Sequence, residues 1–285
     1  MKDGVLLIDK ERGWTSRDVC NKLQNIFDTK SIGHLGTLDP FAEGLLAVTI
    51  NKANKIMQFT EDFKKTYIAD LLLGIETNTG DLEGEVISNQ EVKSYSKEEI
   101  ESVLNKFLGK IKQIPPMTSA VHYQGRKLYE IYHEGEVVER EPREVEIYDI
   151  KLLSHENNHI VFETTVSKGT YIRVLGEDIA KELKTVGHLV KLTRTKVGFL
   201  ELKDAIKLKE VNKDSPLIPI TKILTHYKKV IVKEENVKKI KDGMTLPFDE
   251  IDDEYILLVD ENDTALAIYK KVGNRHMYHC FRGLW

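Results

Sequence analysis

Cysteine is scarce in this sequence, and long apolar runs are missing. The 285 residues include only two cysteines, Cys20 and Cys280, which is too few for the disulfide framework of a small secreted protein. No apolar run approaches the roughly 18 residues that a membrane-spanning helix needs. The run at residues 5–8 is also shorter than the apolar core of a signal peptide. We therefore expect a cytoplasmic protein that makes no membrane contact and carries two buried thiols.

A strong charge of one sign is also absent. Lysine and arginine together number 42 and aspartate and glutamate 46, which gives a net charge of −4. The composition alone therefore does not indicate a nucleic-acid-binding protein. Between residues 166 and 200, however, seven basic residues stand against three acidic ones. This stretch predicts a local positive surface, and an ordinary solvated face is the alternative that charge alone leaves open.

Hydrophobic periodicity predicts a mixture of helices and strands. A first helix is predicted to start at Ser16, which we take as its N-cap. A second is predicted to follow the capping box at residues 96–99. The second of these is expected to stop at Gly109, and a third helix covers residues 171–183. Strands are predicted at residues 5–8, 45–50, 67–73, 145–153, 160–166 and 192–198, and an irregular loop at residues 111–125. Because strands and helices do not alternate regularly, the predicted class is α+β.

The pattern of the chain changes near residue 220. Pro216 and Pro219 flank a linker-like stretch, and the remainder alternates short apolar strands with charged turns. We therefore predict a larger domain over residues 1–224 and a small β-rich module over residues 225–285.

One loop stands out as a place for chemistry. Residues 33–44 contain three glycines and a proline and lie between a predicted helix and an apolar strand, and such loops often carry catalytic groups. Asp39 precedes Pro40, so its backbone is biased toward an extended conformation. Asp-Pro is also a common turn signal, so composition leaves both interpretations open. No cluster of His or Cys has metal-ligand spacing, and no nucleotide-binding or Gly-x-Ser-x-Gly motif occurs. We therefore predict no metal site.

Six segments resemble, in the same order, the motifs of TruB-type tRNA pseudouridine synthases. They cover most of residues 4–200, and the last 60 residues resemble, more loosely, the PUA module that follows that catalytic domain. The six segments are residues 10–16, 33–45, 65–67 with 73–74, 113–120 with 125–129, 167–173 and 192–198.

The resemblance implies a fold and an activity. The fold is a pseudouridine-synthase-like α+β domain, with a mixed, largely antiparallel sheet flanked by helices and a small C-terminal β-rich PUA-like module. The activity is isomerisation of the uridine at position 55, in the T-loop of tRNA, to pseudouridine after the base is flipped out. No metal or organic cofactor is implied. The partner is tRNA, bound by its T-arm and by its acceptor end, and we expect a monomer without an obligatory protein partner.

The resemblance also implies roles for individual residues. Asp39 is the essential carboxylate, Tyr67 lies against the flipped uracil, and Arg173 pairs with Asp39. The implied substrate-binding residues are His34, which holds the disrupted T-loop, and Tyr171 and Leu192, which line the uracil pocket. We also expect Lys10, Lys65 and Lys168 to contact phosphates, although any exposed lysine could do so.

Three positions depart from the family pattern. Glu11 stands in place of a usual proline, Ala180 in place of a common glycine, and Glu43 in place of a usual threonine. Glu43 adds a negative charge near the expected path of phosphates, which argues for weaker substrate binding.

Three alternative functions stay open at this point. They are a non-catalytic RNA-binding or RNA-folding protein, a glycoside hydrolase, and a guide-dependent synthase that works inside a larger particle. A glycoside hydrolase needs two carboxylates flanking the bond, and no motif supplies a partner for Asp39.

Overall fold

The structure is a computed structural model that describes residues 2–273 and 276–285. The helices are α1 (Ser16–Phe27), α2 (Lys97–Asn105), α3 (Leu128–His133), α4 (Ile172–Glu182), α5 (Ile220–Ile223) and α6 (Glu234–Lys241), with 3₁₀ segments at Asn51–Phe59, Leu202–Asp204 and Leu208–Glu210. The strands are β1 (Gly4–Lys10), β2 (Ile32–His34), β3 (Glu43–Ile50), β4 (Lys65–Leu73), β5 (Ile75–Thr77), β6 (Val86–Asn89), β7 (Gly109–Gln113), β8 (His122–Tyr123), β9 (Arg126–Lys127), β10 (Arg143–Glu156), β11 (His159–Val166), β12 (Gly187–Val197), β13 (Leu200–Glu201), β14 (Ile206–Lys207), β15 (Lys228–Ile231), β16 (Leu246–Pro247), β17 (Tyr255–Val259), β18 (Ala265–Val272) and β19 (Met277–Gly283).

The larger sheet forms the centre of the protein. Its strand order is β14-β1-β3-β12-β4-β11-β10-β7, with β13 paired to β12 and β2 paired to β3. Only the β1–β14 and β12–β3 pairs are parallel, so this sheet is largely antiparallel, as predicted. α1 and α4 pack on it through one apolar cluster that includes Val19, Leu23, Leu175 and Ile179.

The β12–β3 contact is short and depends on a glycine. Thr193 pairs with Glu43, and Arg194 pairs with Gly44. Gly44 has φ +100°, and a Cβ there would lie 2.5 Å from the Arg194 carbonyl oxygen. Only glycine accepts both the conformation and the close approach. The contact places Arg194 beside the loop that precedes β3.

Two helix boundaries differ from the sequence prediction. Thr15, not Ser16, caps α1, because its hydroxyl accepts from the Asp18 amide while the Asp18 carboxylate accepts from the Thr15 amide. α2 has the predicted capping box but ends at Asn105. Gly109 begins strand β7 instead of stopping the helix.

The segment predicted as one irregular loop is partly ordered as an insertion. β7 pairs with β10 at the edge of the large sheet, and β8 and β9 form a small hairpin that leads into α3. Met117, Leu128 and Ile131 form a separate apolar cluster here. The insertion therefore has its own small core, which extends to Val138.

The C-terminal residues form a second sheet, with the order β15-β17-β18-β19-β16. Helix α6 was not predicted, because its charged sequence shows one fully buried position, Ile240. Leu257 and Leu284 share an apolar cluster with Val5 and Leu45 of the large sheet. The core thus crosses the predicted boundary, and the division into domains 1–224 and 225–285 stays a prediction.

Two further findings concern the thiols and membrane helices. Cys20 is buried and Cys280 is half-buried, and neither forms a disulfide. Of the helices in the described ranges, none is long and apolar enough to cross a membrane.

The shared core predicts that the two sheets unfold together. We expect Leu257→Ala to lower the free energy of unfolding by about 2–5 kcal/mol, because it opens a cavity in that core. Ile231→Ala, on the neighbouring strand, is the control, since Ile231 is 71% exposed. Urea denaturation followed by circular dichroism checks this. Two separate transitions, with only one of them shifted by Leu257→Ala, would contradict a common core.

Candidate active site

A cavity of about 990 Å³ opens beside the large sheet. Its wall comes from the loop before β3, from β4 and β12, from the insertion, and from the turn that leads into α4. The cavity brings together eight residues singled out in the sequence, which are His34, Asp39, Lys65, Tyr67, Lys168, Tyr171, Arg173 and Leu192.

Asp39 and Arg173 form the central ion pair of the cavity. Arg173 Nε donates to Asp39 Oδ2 at 3.0 Å. The Arg173 side chain is 5% exposed, whereas that of Asp39 is 38% exposed. Arg173 Nη1 also donates to the Thr79 carbonyl at 2.8 Å and to Thr118 Oγ1 at 2.7 Å. A fixed guanidinium therefore orients one accessible carboxylate.

Two partners of Arg173 were not identified from the sequence. Asp81 is 5% exposed, and its Oδ2 lies 3.6 Å from Arg173 Nη1. Its Oδ1 accepts from Thr79 Oγ1 at 2.7 Å and from the Glu83 amide at 3.0 Å. Thr118 comes from the insertion. No charge or spacing signal singles out Asp81, because it lies in an ordinary turn before β6.

The loop that carries Asp39 is held by the buried Arg194. Arg194 is 1% exposed, and it donates from Nη2 to the Gly36 carbonyl and from Nη1 to the Thr37 carbonyl, both at 3.0 Å. Its Nε donates to the Leu45 carbonyl at 2.8 Å. The planar guanidinium thus donates to three backbone carbonyls at once.

The next three carbonyls of the loop are also satisfied. Ser16 Oγ donates to the Leu38 carbonyl at 3.0 Å and accepts from the Leu38 amide at 2.9 Å. The Ala42 amide donates to the Asp39 carbonyl, and the Gly13 amide donates to the Pro40 carbonyl. The five consecutive carbonyls of residues 36–40 therefore all have donors, which gives Asp39 a rigid support.

Lys10 belongs to this support and does not line the cavity. It is fully buried, and its Nζ donates to the carbonyls of Trp14 at 2.7 Å, Glu11 at 3.2 Å and Pro40 at 3.4 Å. Burial lowers the pKa of Lys10 to about 8, against the attraction of Asp39. The expected phosphate contact is not supported by this geometry, because the ammonium is covered and its three protons are already donated.

Four residues form a pocket of aromatic and apolar character in the cavity. Tyr67 lies on β4 and Leu192 on β12, the neighbouring strand. Tyr171 caps α4, and its backbone is fixed by the buried Gln113, whose Oε1 accepts from the Tyr171 amide at 3.0 Å and whose Nε2 donates to the Tyr171 carbonyl at 3.3 Å. Burial lowers the pKa of His34. Within residues 2–273 and 276–285, its buried Nδ1 has no hydrogen-bond partner.

The positive surface expected from residues 166–200 is mostly not present. Arg173 and Arg194 are buried, and four of the five lysines face carboxylates. The pairs are Lys168–Asp62 at 2.8 Å, Lys181–Asp178 at 3.5 Å, Lys191–Glu43 at 3.1 Å and Lys196–Glu201 at 3.0 Å. The prediction was wrong because a count along the chain does not show which groups pair: Asp62 and Glu43 come from distant segments, and Asp178 and Glu201 lie within or next to the stretch. Glu43 is itself neutralised by Lys191.

Comparison with known proteins identifies the family. The model of the TruB family pseudouridylate synthase (N terminal domain) matches residues 24–172. A tRNA pseudouridine synthase B of Hydrogenovibrio crunogenus is 41% identical over 250 residues, covering 87% of this chain and 82% of that relative. The chain belongs to the TruB family of pseudouridylate synthases. A tRNA pseudouridine synthase B of Bacillus pumilus is 39% identical, with 95% of this chain and 94% of the relative covered.

Solved structures show the same fold as this TruB family member. The crystal structure of a Cbf5-Nop10-Gar1 complex matches with a TM-score of 0.74 and 24% identity, covering 99% of this chain and 85% of the matched chain. A structure of an H/ACA RNP bound to a substrate RNA containing 2'-deoxyuridine matches with a TM-score of 0.72 and 23% identity, covering 99% of this chain and 85% of that one. The predicted pseudouridine-synthase-like α+β fold with a small, PUA-like C-terminal sheet is confirmed.

The support of the Asp39 loop predicts a specific loss of stability. In Arg194→Lys, a single ammonium replaces a fork that reaches three carbonyls, and we expect the free energy of unfolding to fall by at least about 2 kcal/mol. Arg126→Lys is the matched control, because Arg126 is 46% exposed and pairs with Glu134 at the surface. Urea denaturation measures both variants. Equal stability of the two would show that the Arg194 fork is not needed.

Proposed function

We propose that this chain isomerises the uridine at position 55 of tRNA, in the T-loop, to pseudouridine. The observation that carries the proposal is the Asp39 carboxylate, held by a buried Arg173 in a cavity beside Tyr67, in a chain of the TruB family. Its curated relatives named tRNA pseudouridine synthase B, at 41% and 39% identity, support tRNA as the substrate.

The cavity suits a nucleotide that has left its stack. A base inside a folded loop must be flipped out before its glycosidic bond can be reached, at a cost of a few kcal/mol. Stacking on an aromatic side chain recovers roughly 1–3 kcal/mol per base, and Tyr67 is the aromatic beside Asp39 that we assign to this contact. Leu192 and Tyr171 complete the uracil pocket, and His34 holds the opened T-loop.

In the proposed reaction the bond between N1 and C1′ breaks, the uracil turns, and C5 bonds to C1′ with loss of the C5 proton, while N1 takes up a proton. Asp39 is the catalytic carboxylate, acting either on C1′ as a nucleophile or on the C2′ proton as a base. Arg173 fixes its orientation, so that the carboxylate is positioned before the substrate arrives. The proposed reaction uses no cofactor.

We further propose that the T-arm lies at the cavity and the acceptor end on the C-terminal module. The chain acts as a monomer in the cytoplasm without an obligatory protein partner. Relatives named tRNA pseudouridine synthase B are 41% and 39% identical, while the match to the Cbf5-Nop10-Gar1 complex is 24% identical. This difference favours the stand-alone enzyme over a guide-dependent one.

A glycoside hydrolase is less well supported. Such an enzyme needs a second carboxylate across the scissile bond. Asp81, the carboxylate found near Arg173, is buried and bonded to the Glu83 amide and to Thr79, so it is not free to act on a substrate.

Tritium release from C5 tests the function directly. With a tRNA transcript that carries tritium at C5 of its uridines, we expect wild-type protein to release one tritium per tRNA. Asp39→Asn is expected to slow release at least about 10³-fold, the range seen on loss of a catalytic group, with the Kd for tRNA unchanged.

The control transcript has cytidine in place of the T-loop uridine, and it should release nothing. Normal binding with no release by wild-type protein would favour the non-catalytic RNA-binding or RNA-folding protein. Full activity of Asp39→Asn would remove Asp39 from its assigned role.

A pH dependence of tRNA binding follows from Lys65, which lines the cavity. Burial, together with Arg194 and Lys168, lowers the pKa of Lys65 to about 8, against the attraction of Asp62 and Glu61. If Lys65 contacts a phosphate, affinity falls as the pH rises through this value, because the ammonium loses its charge.

The measurement is the Kd for tRNA between about pH 6.5 and about pH 9, compared with Lys65→Arg, which stays charged throughout. We expect the wild-type affinity to fall over this range and the Lys65→Arg affinity to stay nearly level. Parallel pH profiles would show that Lys65 does not contact the RNA.

A further inference from the structure

An ion pair joins two segments at the edge of the cavity. Lys168 lies in the turn between β11 and α4, and its Nζ is 2.8 Å from Asp62 Oδ1 and 3.6 Å from Glu61 Oε2. Glu61 and Lys168 both line the cavity. We call Lys168 with Glu61 and Asp62 the rim cluster.

The carboxylates of the rim cluster lie at the cavity, since Glu61 lines it and Asp62 is the next residue. They are open to solvent, since the side chains are 63% exposed at Glu61, 89% at Asp62 and 55% at Lys168. An exposed pair of this kind contributes only about 0–1 kcal/mol. The fold therefore does not depend on it, and RNA, which carries many closely spaced phosphates, can compete with the carboxylates for Lys168.

The surroundings of the rim cluster favour an anion. Lys65 Nζ donates to the Glu61 carbonyl at 3.3 Å, and Arg194 and Lys168 both lie close enough to Lys65 to lower its pKa. Two lysines, Lys65 and Lys168, thus bind the turn that carries Glu61 and Asp62. The carboxylate oxygens now on Lys168 are the same kind of acceptor as phosphate oxygens.

We propose that Lys168 binds a backbone phosphate of the RNA beside the flipped uridine, and that Asp62, assisted by Glu61, occupies this phosphate site until the RNA displaces it. The proposal rests on the proposed function for the identity of the RNA. In the free protein the carboxylates keep Lys168 oriented at the rim, and on binding they swing into solvent.

This exchange has a consequence for the salt dependence of binding. When an unpaired lysine of a protein neutralises a phosphate, the phosphate releases a bound counterion. The affinity therefore falls as the salt concentration rises. At Lys168 the displaced Asp62 carboxylate takes up a cation when the phosphate releases one, so this contact contributes less to that salt dependence. Removal of Asp62 restores the missing contribution.

The experiment measures the Kd for unmodified tRNA transcript over a series of salt concentrations. We expect Asp62→Asn to bind about two- to fivefold more tightly than wild type, which corresponds to the worth of an exposed ion pair. The slope of log K against log salt should become more negative by up to about 0.7, the value for one phosphate of a single strand. Lys168→Gln should bind more weakly than wild type.

A matched control separates this site from general charge repulsion. Glu182→Gln removes the same charge from an exposed pair of similar length, Lys106–Glu182 at 2.9 Å, outside the cavity wall. We expect no gain in affinity from it. Asp62→Asn should also have no effect when combined with Lys168→Gln, because the carboxylate then has no lysine to occupy.

Two results of these measurements would overturn the proposal. An equal gain from Asp62→Asn and Glu182→Gln, or a gain from Asp62→Asn that persists without Lys168, overturns the proposal and indicates simple repulsion. Tritium release by wild-type protein leaves the proposed function intact in that case. If wild-type protein releases no tritium but the gain still requires Lys168, the proposed function fails while the phosphate site stands.

Discussion

The saturation of the Asp39 loop with buried hydrogen-bond donors is the constraint on which the site depends. Five consecutive carbonyls, at residues 36–40, accept from donors that come from α1, from β12, from the segment before α1 and from Ala42 of the loop itself. These hydrogen bonds hold the loop in one conformation. Arg194 and Lys10 are both buried, and both donate hydrogen bonds to backbone carbonyls of this loop.

The two buried arginines have different roles. Arg194 binds backbone carbonyls, and Arg173 binds the Asp39 carboxylate. Arg194 holds the loop from its position on β12, where Gly44 allows β3 to approach closely. Arg173 holds the Asp39 carboxylate from the first turn of α4, and Asp81 and the Thr118 hydroxyl fix the guanidinium in turn. Asp39 is thereby positioned at both its backbone and its side chain, which favours a carboxylate that needs little rearrangement when a substrate binds.

The charges of the protein explain how an acidic chain can be consistent with a polyanionic substrate. Most lysines of the segment before and along β12 face carboxylates from other parts of the chain, so the free protein presents little uncompensated positive charge there. The exchange that we propose at Lys168 would replace a carboxylate of the protein with a phosphate of the RNA.

The sequence by itself determined the α+β class, most strands, the six motif segments and the candidate residues Asp39, Tyr67 and Arg173, because periodicity and local motifs are written along the chain. Only the tertiary structure decided which charged groups are already paired with other groups of the protein. Asp39 and Arg173 are 134 residues apart. Lys168 and Lys191 pair with Asp62 and Glu43 from distant segments. Lys10 is fully buried beneath the loop that it supports. Asp81 joins the site through a turn that carries no signal of its own, and Thr118 lies in the motif segment 113–120 without being recognisable as a partner of Arg173. Hydrogen bonds and ion pairs between distant segments depend on packing in three dimensions, and a one-dimensional pattern does not contain them.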